Sequence, residues 1–167
     1  MTLYCPEGHP LPPEYVLSKT WRHTFSPVLE SALRKFQRGV ARKGRNEIHL
    51  RHDLTGDLKL TTDELNNFTK LRFHALVAKV RINGHHKQGY WLLTRRGSRS
   101  LKRQESIPRW VKTRDNHVID HSQERIWIGD QSGLPPIDLS FEIADGDVFV
   151  PPDQQRKLFE LRPAFNR

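Results

Sequence analysis

Apolar residues recur at helical spacing in a first stretch that has clear start and stop signals. Ser26 suits an N-cap, and Pro27 suits the first helical position. Apolar side chains then recur three or four positions apart from Leu29 to Val40, with basic residues between them. Gly44 follows the last turn as a C-cap. The pattern predicts a helix over residues 26–43.

A second amphipathic stretch begins at Thr61, which forms a capping-box signature with Glu64. Its apolar face consists of Leu65, Phe68, Leu71, Ala75 and Leu76. Its opposite face carries Asn66, Lys70, Phe73 and His74, with Asn67 at the edge. We expect Phe73 to be a core residue in spite of its place on the polar face.

Shorter elements surround this second helix. Residues 47–50 alternate as a small strand, and residues 51–60 read as a short helix or turn. Residues 77–82 and 90–94 form a predicted hairpin around Asn83-Gly84, a strong turn signal. Since residues 85–89 intervene, we expect a turn longer than two residues. A short helix is predicted over 94–103.

The two ends of the chain differ from this middle part. Residues 1–25 are rich in proline and predict an irregular arm with at most one short element. Residues 111–119 and 125–128 read as two strands of a second hairpin, and 137–150 as an acidic strand-like segment. We therefore predict an arm (1–25), a helical domain with a hairpin (26–104), and a β-rich extension with an acidic tail (105–167).

Helix, short strand, short helix, longer helix, hairpin and helix follow one another in the order of a winged helix-turn-helix domain. Residues 71–77 and 89–97 resemble winged-helix DNA-binding proteins, where a recognition helix leads into a hairpin wing and a leucine-threonine-x-x-glycine return. The likeness is closest to bacterial and phage members with a small N-terminal zinc ribbon, and it covers residues 26–128. It implies an α+β fold, a winged-helix core followed by the β-rich extension. Ala75 departs from the glycine common there, which is expected to alter the turn into the wing.

Charge supports a polyanionic partner. The 167 residues hold 28 Lys and Arg against 19 Asp and Glu, a net charge of +9. The excess lies in residues 1–128, with a net of +12, whereas residues 129–167 have a net of −3. Because neutralised phosphates release counterions, such a surface suits nucleic acid. A solvated basic face without a partner is the plainer alternative.

The resemblance assigns DNA-binding roles to the second helix and the hairpin. A recognition helix enters the major groove, where Asn66 and Asn67 suit adenine, and Lys70 suits guanine or a phosphate. The exposed face also places His74 at the interface. The wing residues His85, His86 and Lys87 would follow the backbone or reach the minor groove. The basic residues after the wing are better placed for phosphates: Arg95, Arg96 and Arg99.

Metal sites have weak support. Cys5 and His9 outline half of a zinc knuckle, but a structural zinc site needs four ligands, and His23 adds only a third. The adjacent wing histidines lack further ligands. We expect no cofactor, with zinc as the open alternative. The single cysteine fits a reducing cytoplasm.

A dense polar cluster over residues 114–121, with His117 and His121, suggests a His-Asn-His nuclease. Such a nuclease needs a helix after the histidine strand, and the sequence predicts another strand instead. No phosphate loop or nucleophile elbow is present, so we expect no enzyme activity.

The sequence favours a cytoplasmic, non-enzymatic protein that binds double-stranded DNA. It would act as a transcriptional regulator or a replication or recombination accessory factor of a phage, plasmid or bacterium. The alternative is an adaptor or inhibitor, for example anti-CRISPR-like, that binds a protein of a nucleic-acid machine. A metal-dependent nuclease using His117 is the third hypothesis. We expect no membrane span, because no run approaches about 20 apolar residues, and no signal peptide.

Overall fold

The structure is a computed structural model that describes residues 19–137. Cys5 and His9, most of the proline-rich arm and the acidic segment over 138–167 lie outside the described residues. Within 19–137 the chain forms three α-helices and antiparallel sheets, an α+β fold. The elements are β1 (Thr20–Thr24), α1 (Pro27–Lys43), β2 (Ile48–His49), a 3-10 turn (Gly56–Leu58), α2 (Thr62–Phe73), β3 (Val77–Ile82), β4 (His85–Leu93), α3 (Arg95–Leu101), β5 (Ile107–Pro108), β6 (Trp110–Arg114), β7 (His117–His121) and β8 (Arg125–Ile126).

The first two amphipathic stretches form helices where their caps predict them. The Ser26 hydroxyl accepts a hydrogen bond from the Leu29 amide at 3.4 Å, and Gly44 ends α1 in the left-handed region with a φ of 65°. Both halves of the capping box are made at α2, since Thr61 and Glu64 each accept from the other's backbone amide. These two predictions are confirmed.

The first sheet has the order β2-β4-β3 and packs one face against α1 and α2. Its inward side chains include Ile48, Val77 and Leu93, all fully buried. An aromatic chain joins the layers, with Phe68 5.5 Å from Phe36 and 5.1 Å from Trp91 between ring centroids. This is the main core of the described residues.

The hairpin turn of this sheet is shorter than expected. Asn83 and Gly84 have φ of 52° and 81° and alone connect the strands, so His85 already pairs with Ile82. The prediction of a longer turn is wrong, because two left-handed residues match the twist of the strands. Residues 85–89 belong instead to β4.

Ala75 keeps the turn into β3 in the form that glycine would give. Its φ is 62°, in the left-handed region, and its amide donates to the Arg72 carbonyl oxygen at 2.8 Å. The Leu76 amide bonds to the Leu71 carbonyl at 3.0 Å. Because alanine is strained in this region, the departure from glycine adds local strain of about 1 kcal/mol.

The second sheet has the order β1-β6-β7. Its β6–β7 hairpin turns at Asp115-Asn116, both with positive φ, within what the sequence reads as one strand. β8 pairs with β5 rather than with this hairpin. The predicted second hairpin is therefore wrong. Since β1 pairs along its length with β6, residues 20–24 of the predicted arm share a sheet with residues of the extension.

Candidate nucleic-acid interface

The solvent face of α2 carries the polar residues predicted to read bases. Asn66 is exposed and Lys70 is half-buried. Asn67 is half-buried, and its side-chain amide donates to the Asp63 carbonyl oxygen at 2.7 Å, so part of its hydrogen-bonding capacity is used within the helix. The capping box fixes the first turn, while exposed Asp63 places a negative charge beside it.

Phe73 shows that the end of this face is covered. Helical spacing puts it on the same side as Asn66 and Lys70. Yet it is only 5% exposed, because it packs with Val111 and Val118 of the second sheet. The prediction of a core position for Phe73 is confirmed. The second sheet therefore covers the solvent face of α2 at Phe73, the last residue of the helix.

His23 makes the closest link between β1 and α2. Its ring stacks on Phe73 with 5.1 Å between centroids, and its Nε2 lies 2.8 Å from the Thr113 hydroxyl oxygen. Burial, helped by the charge of Lys70, lowers the pKa of His23. This histidine packs between β1 and α2; its suggested partners in a zinc site, Cys5 and His9, lie outside the described residues.

His74 is not available to DNA. It is 2% exposed and packs edge-on against Phe25, with 5.6 Å between ring centroids. Burial lowers its pKa to about 3, and neither ring nitrogen makes a well-aligned hydrogen bond to another residue within 19–137. Its predicted contact is wrong, because the chain around Phe25 covers the end of α2.

The β3–β4 hairpin, the predicted wing, carries two lysines beside aromatic rings. Lys79 Nζ lies 5.7 Å from the ring centroid of Trp91. Lys87 Nζ lies 4.0 Å from that of Tyr90 and also pairs with Glu47. His85 and His86 are exposed at the start of β4, and Arg81 is exposed opposite His86.

A bulge in β4 opens the surface next to these residues. Four residues of β4, from Lys87 to Tyr90, lie opposite Val80 alone in β3. Gly89 has a φ of 82°, and a Cβ there would lie 2.5 Å from His49 Nε2, so the bulge needs glycine.

Two adjoining clefts flank the bulge and share Gln88 and Gly89. The first, of about 360 Å³, we call the wing cleft; it is lined by Lys79, His86, Lys87, Gln88, Gly89, Tyr90 and Trp91. The second, of about 460 Å³, reaches the start of α2 and is lined by His49, Leu50, Arg51, Leu65, Gln88 and Gly89. The second cleft touches α2 at Leu65, so the two clefts lie between the start of α2 and the β3–β4 hairpin. The sequence analysis did not predict that aromatic residues line the wing cleft. A glycine within a strand, here Gly89, often marks a bulge and could have indicated it.

The basic segment after the wing divides into exposed and buried members. Arg95 and Arg99 are exposed on α3. Arg96 is 7% exposed, and its Nε lies 3.6 Å from Glu105 Oε2. Its predicted phosphate contact is wrong, because its position in α3 turns the side chain into the protein toward Glu105.

The proposed nuclease cluster lies on the β6–β7 hairpin. His117 begins β7 and His121 ends it, and a turn and the two-residue β8 follow within the described residues. Between residues 19 and 137, no three His, Cys, Asp or Glu side chains are grouped as a metal site would need. The helix that a His-Asn-His site requires does not follow β7 in this part of the chain.

The chain was also compared with known proteins. No protein-family model, curated protein or solved structure matches it. Across residues 19–137, no helix is both long and apolar enough to cross a membrane.

Proposed function

We propose that the chain is a non-enzymatic winged-helix protein that binds double-stranded DNA. The observation that carries the proposal is the path of the chain: α1, β2, α2 and the β3–β4 hairpin follow in order, with β4 between β2 and β3. In a winged helix, a recognition helix is expected beside a hairpin wing in this order, and α2 and the β3–β4 hairpin would take those two roles. The two clefts between the start of α2 and this hairpin support the same proposal.

The roles follow from position and charge. The first turns of α2 enter the major groove with Asn66 at base edges, and Lys70, in the last turn, contacts guanine or a phosphate. The wing cations lie along the backbone, and Arg95 and Arg99 bind phosphates. Regulation of transcription, replication or recombination in the cytoplasm of a bacterium, or for a phage or plasmid, is the context that we infer for such binding.

A fluorescence-anisotropy titration with a random duplex of about 30 base pairs, at low and physiological salt, tests the proposal. We expect affinity to fall steeply with salt, and Lys70→Ala to weaken binding. Arg95→Ala with Arg99→Ala should also lower the salt slope by about 2. Arg38→Ala removes one exposed cation from α1 and is the matched control, expected to leave affinity unchanged. No binding at low salt would exclude this function.

An adaptor or inhibitor that binds a protein partner is the second candidate. It is favoured by the cover over Phe73 and by exposed Asp63, which together reduce the surface that α2 offers to a major groove. It predicts no measurable affinity for free duplex at low salt, and binding to a protein of a nucleic-acid machine that is lost when Lys70 is replaced.

A further inference from the structure

The second sheet does more than cover the end of α2. Every second side chain of β1 points to the same face of the sheet. This face carries Trp21 and His23, and Phe25 continues it just after the strand. Phe25 packs on His74, just past the helix, and His23 stacks on Phe73 in the last turn. The next residue on this face is Trp21, so the face continues beyond the part that α2 buries.

Trp21 is the most exposed large apolar residue among those described, at 62%. It does not sit on a loop, since it pairs with Thr113, the fourth of the five residues of β6. The Thr113 hydroxyl bonds to His23, which fixes the neighbouring residue of the same face. A large ring is thus held on a firm strand with most of its surface open to solvent.

A positive charge acts on the same face of β1, at His23. Lys70, one turn before Phe73 on α2, is close enough to His23 to lower the pKa of that imidazole in addition to the effect of burial. Asn66 lies one further turn along the same side of the helix. We call the surface made by Asn66, Lys70 and Trp21 the helix corner.

The helix corner restricts the shape of DNA that fits. A straight duplex along the whole solvent face of α2 would meet the second sheet at Phe73, so the duplex is limited to the first turns. A strand that continues past Lys70 and Phe73 runs toward the face of β1 that carries His23 and Trp21. An indole on a fixed strand next to a cation is the chemistry that stacks an unpaired base and holds its phosphate.

We propose that the helix corner binds the first unpaired bases of a duplex that carries a single-stranded extension. Trp21 stacks on a base and Lys70 contacts the adjacent phosphate. This inference rests on the proposed DNA-binding function and adds the class of DNA that the protein prefers.

The other aromatic residue of the second sheet provides a contrast. Trp110 lies on the opposite face, and the Arg22 guanidinium carbon is 4.1 Å from its ring centroid. One side of that ring is therefore already occupied by an intramolecular cation. The open ring is that of Trp21.

The test compares two labelled DNAs with the full chain by anisotropy: a blunt duplex of about 20 base pairs, and the same duplex with about six unpaired nucleotides. We expect the extended duplex to bind at least about fivefold more tightly, from one stacked base. Trp21→Ala should remove this difference and leave the affinity for blunt duplex unchanged. Trp21→Phe should retain part of it. Trp127→Ala, which removes another exposed indole, is the control and should change neither affinity.

A base analogue gives a second readout that folding defects do not imitate. With 2-aminopurine at the first unpaired position, stacking on Trp21 should quench its fluorescence when the protein binds, and Trp21→Ala should abolish the quenching. Equal binding of both DNAs, or an equal loss of both on Trp21→Ala, would overturn the inference while the proposed function stands. Failure of the wild type to bind either DNA would overturn both.

Discussion

The two larger sheets of the molecule are built for different tasks. The first, β2-β4-β3, buries Ile48, Val77 and Leu93 in the main core between the helices. The second, β1-β6-β7, packs Val111 and Val118 with Phe73 in a small apolar cluster of its own. Since buried apolar area is the main source of stability, the first sheet holds the fold together. The second shapes what α2 leaves exposed.

The largest expected effect breaks the first sheet. Leu93 is fully buried, so Leu93→Ala should lower the free energy of unfolding by about 2–5 kcal/mol, through lost burial and the cavity left behind. Urea denaturation followed by circular dichroism measures this. A smaller loss in the free energy of unfolding would contradict the main stabilising role of the first sheet.

The junction between the two regions should respond to pH through His74. The fold keeps this histidine neutral with a pKa of about 3, whereas the unfolded chain binds a proton below about pH 6.5. The unfolded state therefore gains stability as pH falls, and the fold should lose roughly 2 kcal/mol between about pH 6.5 and 5.

Denaturation at several pH values checks this dependence in the wild type and in His74→Leu, which removes the titrating group. The leucine variant should flatten the slope, leaving only a part from His23, whose pKa burial also lowers. His117→Gln, an exposed position on β7, is the control and should keep the full slope. An unchanged slope in the leucine variant would contradict the burial of a neutral imidazole at this junction.

The smallest effect concerns the second sheet alone. Val118→Ala removes two methyl groups from the Phe73 cluster, and we expect a loss of about 1 kcal/mol. Amide hydrogen exchange should speed up in β6 and β7 and stay unchanged in β3 and β4. Equal acceleration of exchange in both sheets would mean that they unfold as one unit and would contradict separate roles for the two sheets.

Local signals in the sequence account for most of the helices. The Ser26 cap, the Thr61–Glu64 box and the Gly44 terminus depend on residues within one turn of each other, and each is made as predicted. Asn83-Gly84 likewise gives the wing turn. The prediction of a longer turn was wrong because Gly89, although left-handed, is part of the bulge in β4 next to His49 and not part of a turn.

Long-range packing explains what the sequence could not show. His74 and Arg96 have the polar character of surface residues, but Phe25 covers His74 from a distant part of the chain and Glu105 meets Arg96 from the loop after α3. The periodicity of α2 says nothing about a strand some 50 residues away that covers Phe73. The exposed face of a helix can be predicted only when its neighbours are known.

The most direct test of the account is a map of backbone amide shifts of the 15N-labelled protein as a random duplex is added at low salt. We predict changes concentrated on the solvent face of α2, around Asn66 and Lys70, and along the β3–β4 hairpin from Lys79 to Tyr90. Residues on the exposed side of α1, such as Arg38, should be unaffected. The absence of shifts in α2 and the wing, or shifts confined to the rest of the molecule, would contradict the account.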